Sequence, residues 1–300
     1  MTLHEIVAEN RRVNLMELGA DKILAGDIQK RLVDLGCLDA PVDMKFGAIS
    51  QMVLRQFAQK TKVKLDDVIE PTLAQELLNH TPDTLFPLTL GNDFASRIVR
   101  YMQKKKYWLA RMPGFLNIVY VEGVNEDGSL NDDAPNQFND RRLVIAVEDG
   151  KPTIIFNVEG TTEPGAHFTN NPLNTMGAAR ISFGQFKAWS VGVHNAKKAN
   201  RHEALVQVEE IPVHRDRNRD FKRIGDPIDI GLFGINQHSG FNQPKNNIGA
   251  ASAGCLVGRL SEQHKDFMRL VKSDPRFKTS NGYRFITTII AGDDLKKEIG

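Results

Sequence analysis

Two cysteines occur in 300 residues, and one of them stands where a thiol can react. Cys255 closes the run Ile248-Gly-Ala-Ala-Ser252-Ala-Gly254-Cys255. His238 lies seventeen positions earlier, in Phe233-Gly-Ile-Asn-Gln-His238-Ser-Gly240. A thiol becomes a strong nucleophile when a neighbouring base takes its proton, and the oxyanion formed on attack needs hydrogen-bond donors. The small residues before Cys255 leave room for a carbonyl carbon, and the N–H groups of Gly254 and Cys255 are the nearest candidate donors. Taken singly, each residue has a plainer account. A cysteine among small apolar neighbours is ordinary core, and a histidine at a strand end is ordinarily structural. Together, in this spacing, they point to Cys/His acyl transfer.

Such a pair needs a rigid frame. From about residue 115 the sequence turns to β-branched runs at 117–121, 142–148 and 153–158, with Asp149-Gly150 as a turn between the last two. Further strands are expected over 186–193, 204–213, 229–236 and 283–290, with His238 at the end of the apolar stretch 230–236. A helix capped by Ser261 carries Phe267, Leu270 and Val271 on its apolar side. Earlier in the chain, residues 22–80 read as three short helices. Ile28, Leu32 and Leu35 recur at helical spacing and Gly36 ends the first helix. Ser50 is placed as N-cap of the second, with Val53 and Phe57 inward. Thr72 and Gln75 form a capping-box pattern for the third, which runs through Leu77 and Leu78. Residues 80–92, with Pro82, Pro87 and Gly91, read as a linker, and Asn92 as the cap of a helix carrying Phe94 and Ile98. The expected fold class is therefore α+β and multidomain. It comprises a small three-helix module over 1–80, a linker and connecting helix over 81–110, and a mostly β Cys/His catalytic domain over 111–300.

Two stretches resemble known families. Leu32-Val-Asp-Leu-Gly36, Asp43-x-x-Phe-Gly47, Ser50, Phe57 and residues 72–78 resemble the three-helix peptidoglycan-binding module appended to many wall-lytic enzymes. Met44 replaces the first glycine of that module's Asp-Gly-x-Phe-Gly turn. His238 with Ser252-Ala-Gly254-Cys255 resembles the catalytic motif of the L,D-transpeptidase family, His-Gly-x…Ser-x-Gly-Cys-x-Arg. That resemblance implies an L,D-transpeptidase-like domain with Cys255 as nucleophile and His238 as general base, its imidazole oriented by a backbone carbonyl. It implies that Gly254 and Ser252 shape the oxyanion loop. The motif also departs from the family. The glycine expected after the histidine comes at Gly240, behind Ser239, and Ala253 stands where the family often has histidine. Val257 occupies the arginine position, with Arg259 two places on. Arg259 and Gly240 are the substrate-binding residues the resemblance implies, and no metal or cofactor is expected.

A wall-binding module before such a domain implies an enzyme whose partner is bacterial peptidoglycan. A stem-peptide carbonyl would be captured as a thioester and released by water or by an amine. Hydrolysis is favoured, as in an endolysin or an antibacterial effector. Two rivals belong to other classes: a non-catalytic wall-binding or virion structural protein, and a zinc-dependent peptidoglycan peptidase using His194, His202 or His214. The spacings that mark common zinc sites are absent. A net charge of +2, with 41% hydrophobic and 25% charged residues, describes an ordinary globular chain and gives no footprint for nucleic acid. No stretch is long and apolar enough to span a bilayer, so membrane insertion is not expected. The N-terminus carries acids early and lacks an apolar h-region. Synthesis in the cytoplasm without a Sec signal, and action on the wall after release or delivery, are the corresponding expectations. Cys37 is read as a packing residue, with no disulfide to Cys255.

Overall fold

The computed structural model describes residues 1–39 and 42–300. The chain forms two compact units. One comprises Met1–Leu90, Trp108–Phe115 and Val147–Pro152; the other comprises Gly91–Tyr107, Leu116–Ala146 and Thr153–Gly300.

The first unit is helical because its apolar residues recur at helical spacing and its helix ends are satisfied locally. Helix α1 (Leu3–Ala8) opens on a capping box between Thr2 and Glu5. A two-residue strand, β1 (Val13–Asn14), pairs antiparallel with β2 (Val68–Ile69). Helix α2 (Lys22–Asp34) begins earlier than its apolar pattern predicts, because the Asp21 carboxylate accepts the Leu24 N–H at 3.0 Å. It ends as expected at Gly36, whose φ of +72° suits a residue without a Cβ. Helix α3 (Ala48–Thr61) starts after Gly47 rather than at Ser50. The Ser50 hydroxyl is buried and instead accepts the Gln29 amide at 3.1 Å. Helix α4 (Pro71–Asn79) starts at proline, whose fixed φ and missing N–H suit the first helical position, so Thr72 lies inside the helix and caps nothing. A short α5 (Pro82–Leu85) follows. Leu24, Ile28, Leu32, Val53, Phe57, Leu73 and Leu77 form the core with Cys37. Met44 sits at φ +57° in the turn before α3. Gln29 holds that turn, accepting the Met44 N–H at 2.8 Å and donating to Asp43 and to the Lys45 carbonyl.

The second unit is built on strands. Helix α6 (Phe94–Lys104) is capped by Asp93, not Asn92, because the Asp93 carboxylate reaches the Ser96 N–H. In chain order there follow β3 (Asn117–Glu122), β4 (Asp140–Glu148), β5 (Lys151–Thr161), α7 (Ala166–Asn170), β6 (Ala178–Ile181), β7 (Gly184–His194), β8 (His202–Gln207), β9 (Ile211–Asp216), β10 (Ile228–Gly231), β11 (Gln237–Ser239), β12 (Leu256–Gly258), α8 (Ser261–Val271), α9 (Pro275–Thr279), β13 (Phe285–Ala291) and α10 (Gly292–Ile299). Strands β11-β12-β5-β4-β3-β13-β7-β8 close into a barrel, and β10-β9-β6 make a separate small sheet. The stretch 204–213, which reads as one strand, is therefore two strands in different sheets.

Another correction bears directly on the site. The apolar run 229–236 is a strand only to Gly231, and His238 does not end it. Beyond Gly231 the backbone is held by side chains. Gln207 Oε1 accepts the N–H groups of Phe233 and Ile235, and the Trp189 indole donates to the Ile235 carbonyl at 2.7 Å. The chain thereby crosses from the small sheet into the barrel, where β11 begins. Ser261 opens α8 without capping it, because its hydroxyl is engaged with Ser239 Oγ at 3.0 Å. Among the described residues, no helix is long and apolar enough to cross a membrane.

Candidate active site

Two three-residue strands carry the groups singled out by the sequence. β11 and β12 run parallel, with Gln237 opposite Leu256, His238 opposite Val257 and Ser239 opposite Gly258. Residues paired across strands point to one face, and faces alternate along each strand. Gln237 and Leu256 share one face, and the Gln237 amide there donates to Thr287 Oγ1 at 2.8 Å. His238 and Val257 share the other, and Cys255 closes the loop that leads into β12. Cys255 thus stands one residue before the register partner of Gln237, and His238 one residue after Gln237. Both line one cavity of about 570 Å³, along with Ala179, His194, Gly234 and Phe241.

Cys255 is 9% exposed and packs against Phe138, Ile248 and Val257, so it belongs to the core and to the cavity wall at once. The loop leading to it is tight. Gly254 has φ +126°, and a Cβ there would lie 2.4 Å from the Ala179 carbonyl oxygen. Ser252 staples this loop: its hydroxyl accepts the Gly254 N–H at 3.1 Å and donates to the Cys255 carbonyl at 2.9 Å. The Gly254 N–H is therefore spent, and the two backbone oxyanion donors expected from the sequence reduce to that of Cys255. The thiol itself donates to the Gly234 carbonyl at 3.5 Å. Burial pushes its pKa up to about 11, opposed by the Asn236 backbone N–H that faces the sulfur. At neutral pH the resting sulfur is a protonated thiol.

Four histidines cluster here, and their partners fix where each proton sits. His238 Nδ1 lies 2.8 Å from the Ser239 carbonyl, which can only accept, so Nδ1 carries the hydrogen and Nε2 keeps its lone pair. His194 stacks on His238 with centroids 3.9 Å apart and planes 15° apart. The Asn236 amide nitrogen donates to His194 Nδ1 at 3.0 Å, which leaves the His194 proton on Nε2. His202 accepts the Ser239 N–H at Nε2 and faces the Asn200 carbonyl through Nδ1. His264 accepts from Arg142 at Nδ1 and donates to the Glu203 carbonyl at 2.8 Å. Burial is the leading cause that drives three of these rings toward the neutral form. His238 falls well below the usual range, with His194 adding to the effect; His194 falls to about 4 and His264 to about 3. Among the described residues, no group of three His, Cys, Asp or Glu side chains is placed to hold a metal. His214 lies apart, on β9.

Sequence reasoning missed Arg142, which ties the two strands together. It is fully buried on β4. Its Nη2 donates to the carbonyls of His238 and Leu256, both at 3.1 Å, its Nε donates to Tyr120 Oη, and its guanidinium lies over the Phe267 ring. Gly258 makes room for it, since a Cβ there would lie 2.6 Å from Nη1. Only the type of strand was readable from Arg142-Leu-Val-Ile; the charge that opens this run gave no sign of its partners.

The structure does not bring the two expected substrate-binding residues to the cavity. Arg259 donates to Glu159 at 2.5 Å, and Lys245 sits on the other carboxylate oxygen at 2.9 Å. That ion pair keeps the guanidinium off the cavity wall. Gly240 is a packing position, where a Cβ would lie 3.0 Å from the Arg259 carbonyl and 3.1 Å from the Phe138 ring. Lys198 and Arg215 supply the positive charge on the wall instead. Arg215 is engaged by Asp229 at 2.9 Å, whereas Lys198 forms no ion pair among the described residues.

No protein-family model matches the sequence, and no curated protein does either. Two solved structures overlay on it. One is a fused Zn-dependent amidase/peptidase/peptidoglycan-binding domain-containing protein from Clostridium acetobutylicum ATCC 824. It has a TM-score of 0.29 and 15% identity, over 93% of this chain and 99% of that one. The other is the L,D-transpeptidase (residues 123–326) from Xylanimonas cellulosilytica DSM 15894, with a TM-score of 0.24 and 15% identity, over 87% of this chain and 90% of that one. Both TM-scores lie below 0.5.

Proposed function

We propose that the barrel unit is a cysteine acyl-transfer enzyme acting on the stem peptides of bacterial peptidoglycan, with the helical unit as its wall-binding module. The observation that carries this reading is Cys255 and His238 lining one cavity, with His238 Nδ1 tied to the Ser239 carbonyl so that Nε2 keeps its lone pair. A cavity of about 570 Å³ has the size of a small-ligand site. Lys198 at its wall suits a carboxylate of the stem.

Since the resting groups are a neutral thiol and a neutral imidazole that line one cavity, attack requires general-base catalysis rather than a standing ion pair. The thiol leaves the Gly234 carbonyl and gives its proton to His238 Nε2. The sulfur lone pair forms the C–S bond while the carbonyl π pair moves to oxygen. On collapse the C–N bond breaks, and the proton passes from His238 to the leaving amine. Water then resolves the thioester to a carboxylate, or an amine resolves it to a new amide. We favour hydrolysis, in an endolysin- or effector-like role on the wall after release or delivery.

Digestion of purified sacculi by wild type and by Cys255→Ala, read by mass spectrometry of muropeptides, tests the reading. New muropeptides from wild type alone are expected. Equal profiles would leave a wall-binding protein without catalysis. Activity lost to a chelator yet indifferent to a thiol alkylator would favour a zinc peptidase.

A further inference from the structure

His194 offers a donor that the mechanism above has not used. The Asn236 side chain fixes it, and that amide's own orientation is settled: its Oδ1 accepts the Gln207 N–H at 2.9 Å, so its nitrogen faces His194 Nδ1. The His194 proton must then sit on Nε2, at the far edge of the ring, where it has no acceptor among the described residues. The ring lines the same cavity as Cys255 and lies nearly parallel to His238. Each ring of the stacked pair thus has one nitrogen pinned to the barrel and one unspent. His238 keeps a lone pair, and His194 keeps an N–H. The Gly254 N–H, meanwhile, is committed to Ser252. Asn236 links the parts, with its backbone N–H facing the sulfur and its side chain holding the donor ring.

We propose that His194 is a second catalytic imidazole, whose Nε2–H binds the oxyanion that forms when Cys255 attacks a carbonyl, taking the place of the backbone donor that Ser252 consumes. This rests on the acyl-transfer reading of the Cys255 site. The burial that drives His194 toward the neutral form keeps its proton count at one, so the ring donates without competing for the thiol proton.

Two probes of the same sulfur separate this role from a structural one. Iodoacetamide alkylates by displacement at carbon, with iodide leaving and no oxyanion formed. p-Nitrophenyl acetate acylates through a tetrahedral oxyanion, forming the C–S bond and expelling p-nitrophenolate. Peptide mapping assigns either adduct to Cys255, and thermal midpoints confirm that the variants fold. In His194→Phe, which keeps a flat ring and loses the donor, acylation is expected to fall about 100-fold while alkylation stays within about twofold. His194→Gln, which restores an N–H donor, should recover acylation to within about tenfold of wild type, and it carries the test if the Phe variant does not fold. Unchanged acylation in His194→Phe overturns the proposal. So does a parallel loss of both reactions, which marks a packing role, or a wild type that is not acylated at Cys255. Acylation that behaves as expected, with sacculi left untouched, keeps His194 and removes only the wall substrate.

Discussion

Cys37 and Cys255 are both free and buried, yet their surroundings differ in the way that decides reactivity. Cys37 follows the glycine that ends α2. Its N–H donates to the Leu32 carbonyl at 2.8 Å, its side chain is fully buried in the helical core, and burial pushes its pKa up to about 12. Cys255 is raised almost as far, to about 11. Neither depth nor acidity therefore separates them. What separates them is that Cys255 closes a stapled loop onto a cavity wall that the His238 imidazole shares, whereas Cys37 lies in the apolar core of the helical unit. A thiol here becomes a candidate nucleophile through the cavity it lines.

That contrast can be broken by experiment. The largest effect is expected from alkylation of the folded protein: iodoacetamide should label Cys255 at least about 100-fold faster than Cys37, which reacts only when the helical core opens. Equal rates by peptide mapping would erase the distinction. Next in size, His238→Ala should slow acylation of Cys255 about 100-fold at neutral pH and leave Cys37 unaffected. In that variant alkylation must rely on free thiolate. A raised pKa keeps the proton on the sulfur until pH approaches 11, so the rate should climb about tenfold per pH unit between about 7 and 10. A flat profile would place the thiolate far lower. Ser252→Ala strips the loop of its staple, leaving the Gly254 N–H and the Cys255 carbonyl unpaired. A loss of about 1–2 kcal/mol in urea unfolding is expected, with a smaller fall in acylation than His238→Ala gives. Least affected should be Arg259→Ala, whose side chain serves a part-exposed ion pair. Turnover should stay within about twofold and stability within about 1 kcal/mol. A marked rise in KM would return that arginine to substrate binding.

Much of the helical region was legible because its signals are local. Gly36 ends α2 as read, and Ile28, Leu32, Val53 and Phe57 point inward as their spacing predicts. The caps were misplaced where a tertiary partner took the polar side chain, as Gln29 took Ser50, or where proline set the first helical position. In the barrel, the long β-branched strands were readable, but β11 and β12 were not. They span three residues each, and Gln237-His-Ser is polar because Gln237 crosses to Thr287 while His238 faces the cavity. The pair His238 and Cys255 was visible through its spacing alone. The stacking of His194, the edge contacts of His202 and His264, and the buried Arg142 come from strands far apart in the chain. No local pattern carries them.

The candidate site lies beside the parallel pair β11/β12 of the closed barrel. Both strands are bonded on two sides, and Arg142 pins their carbonyls from beneath. Separating that pair to admit a bulky guest would break its backbone ladder. On the proposed acyl-transfer reading, selectivity falls to connections that line the cavity, the hairpin tip around Asn195 to Asn200 and the stretch around Phe241, so swapping those segments should retune what is accepted without retooling the chemistry.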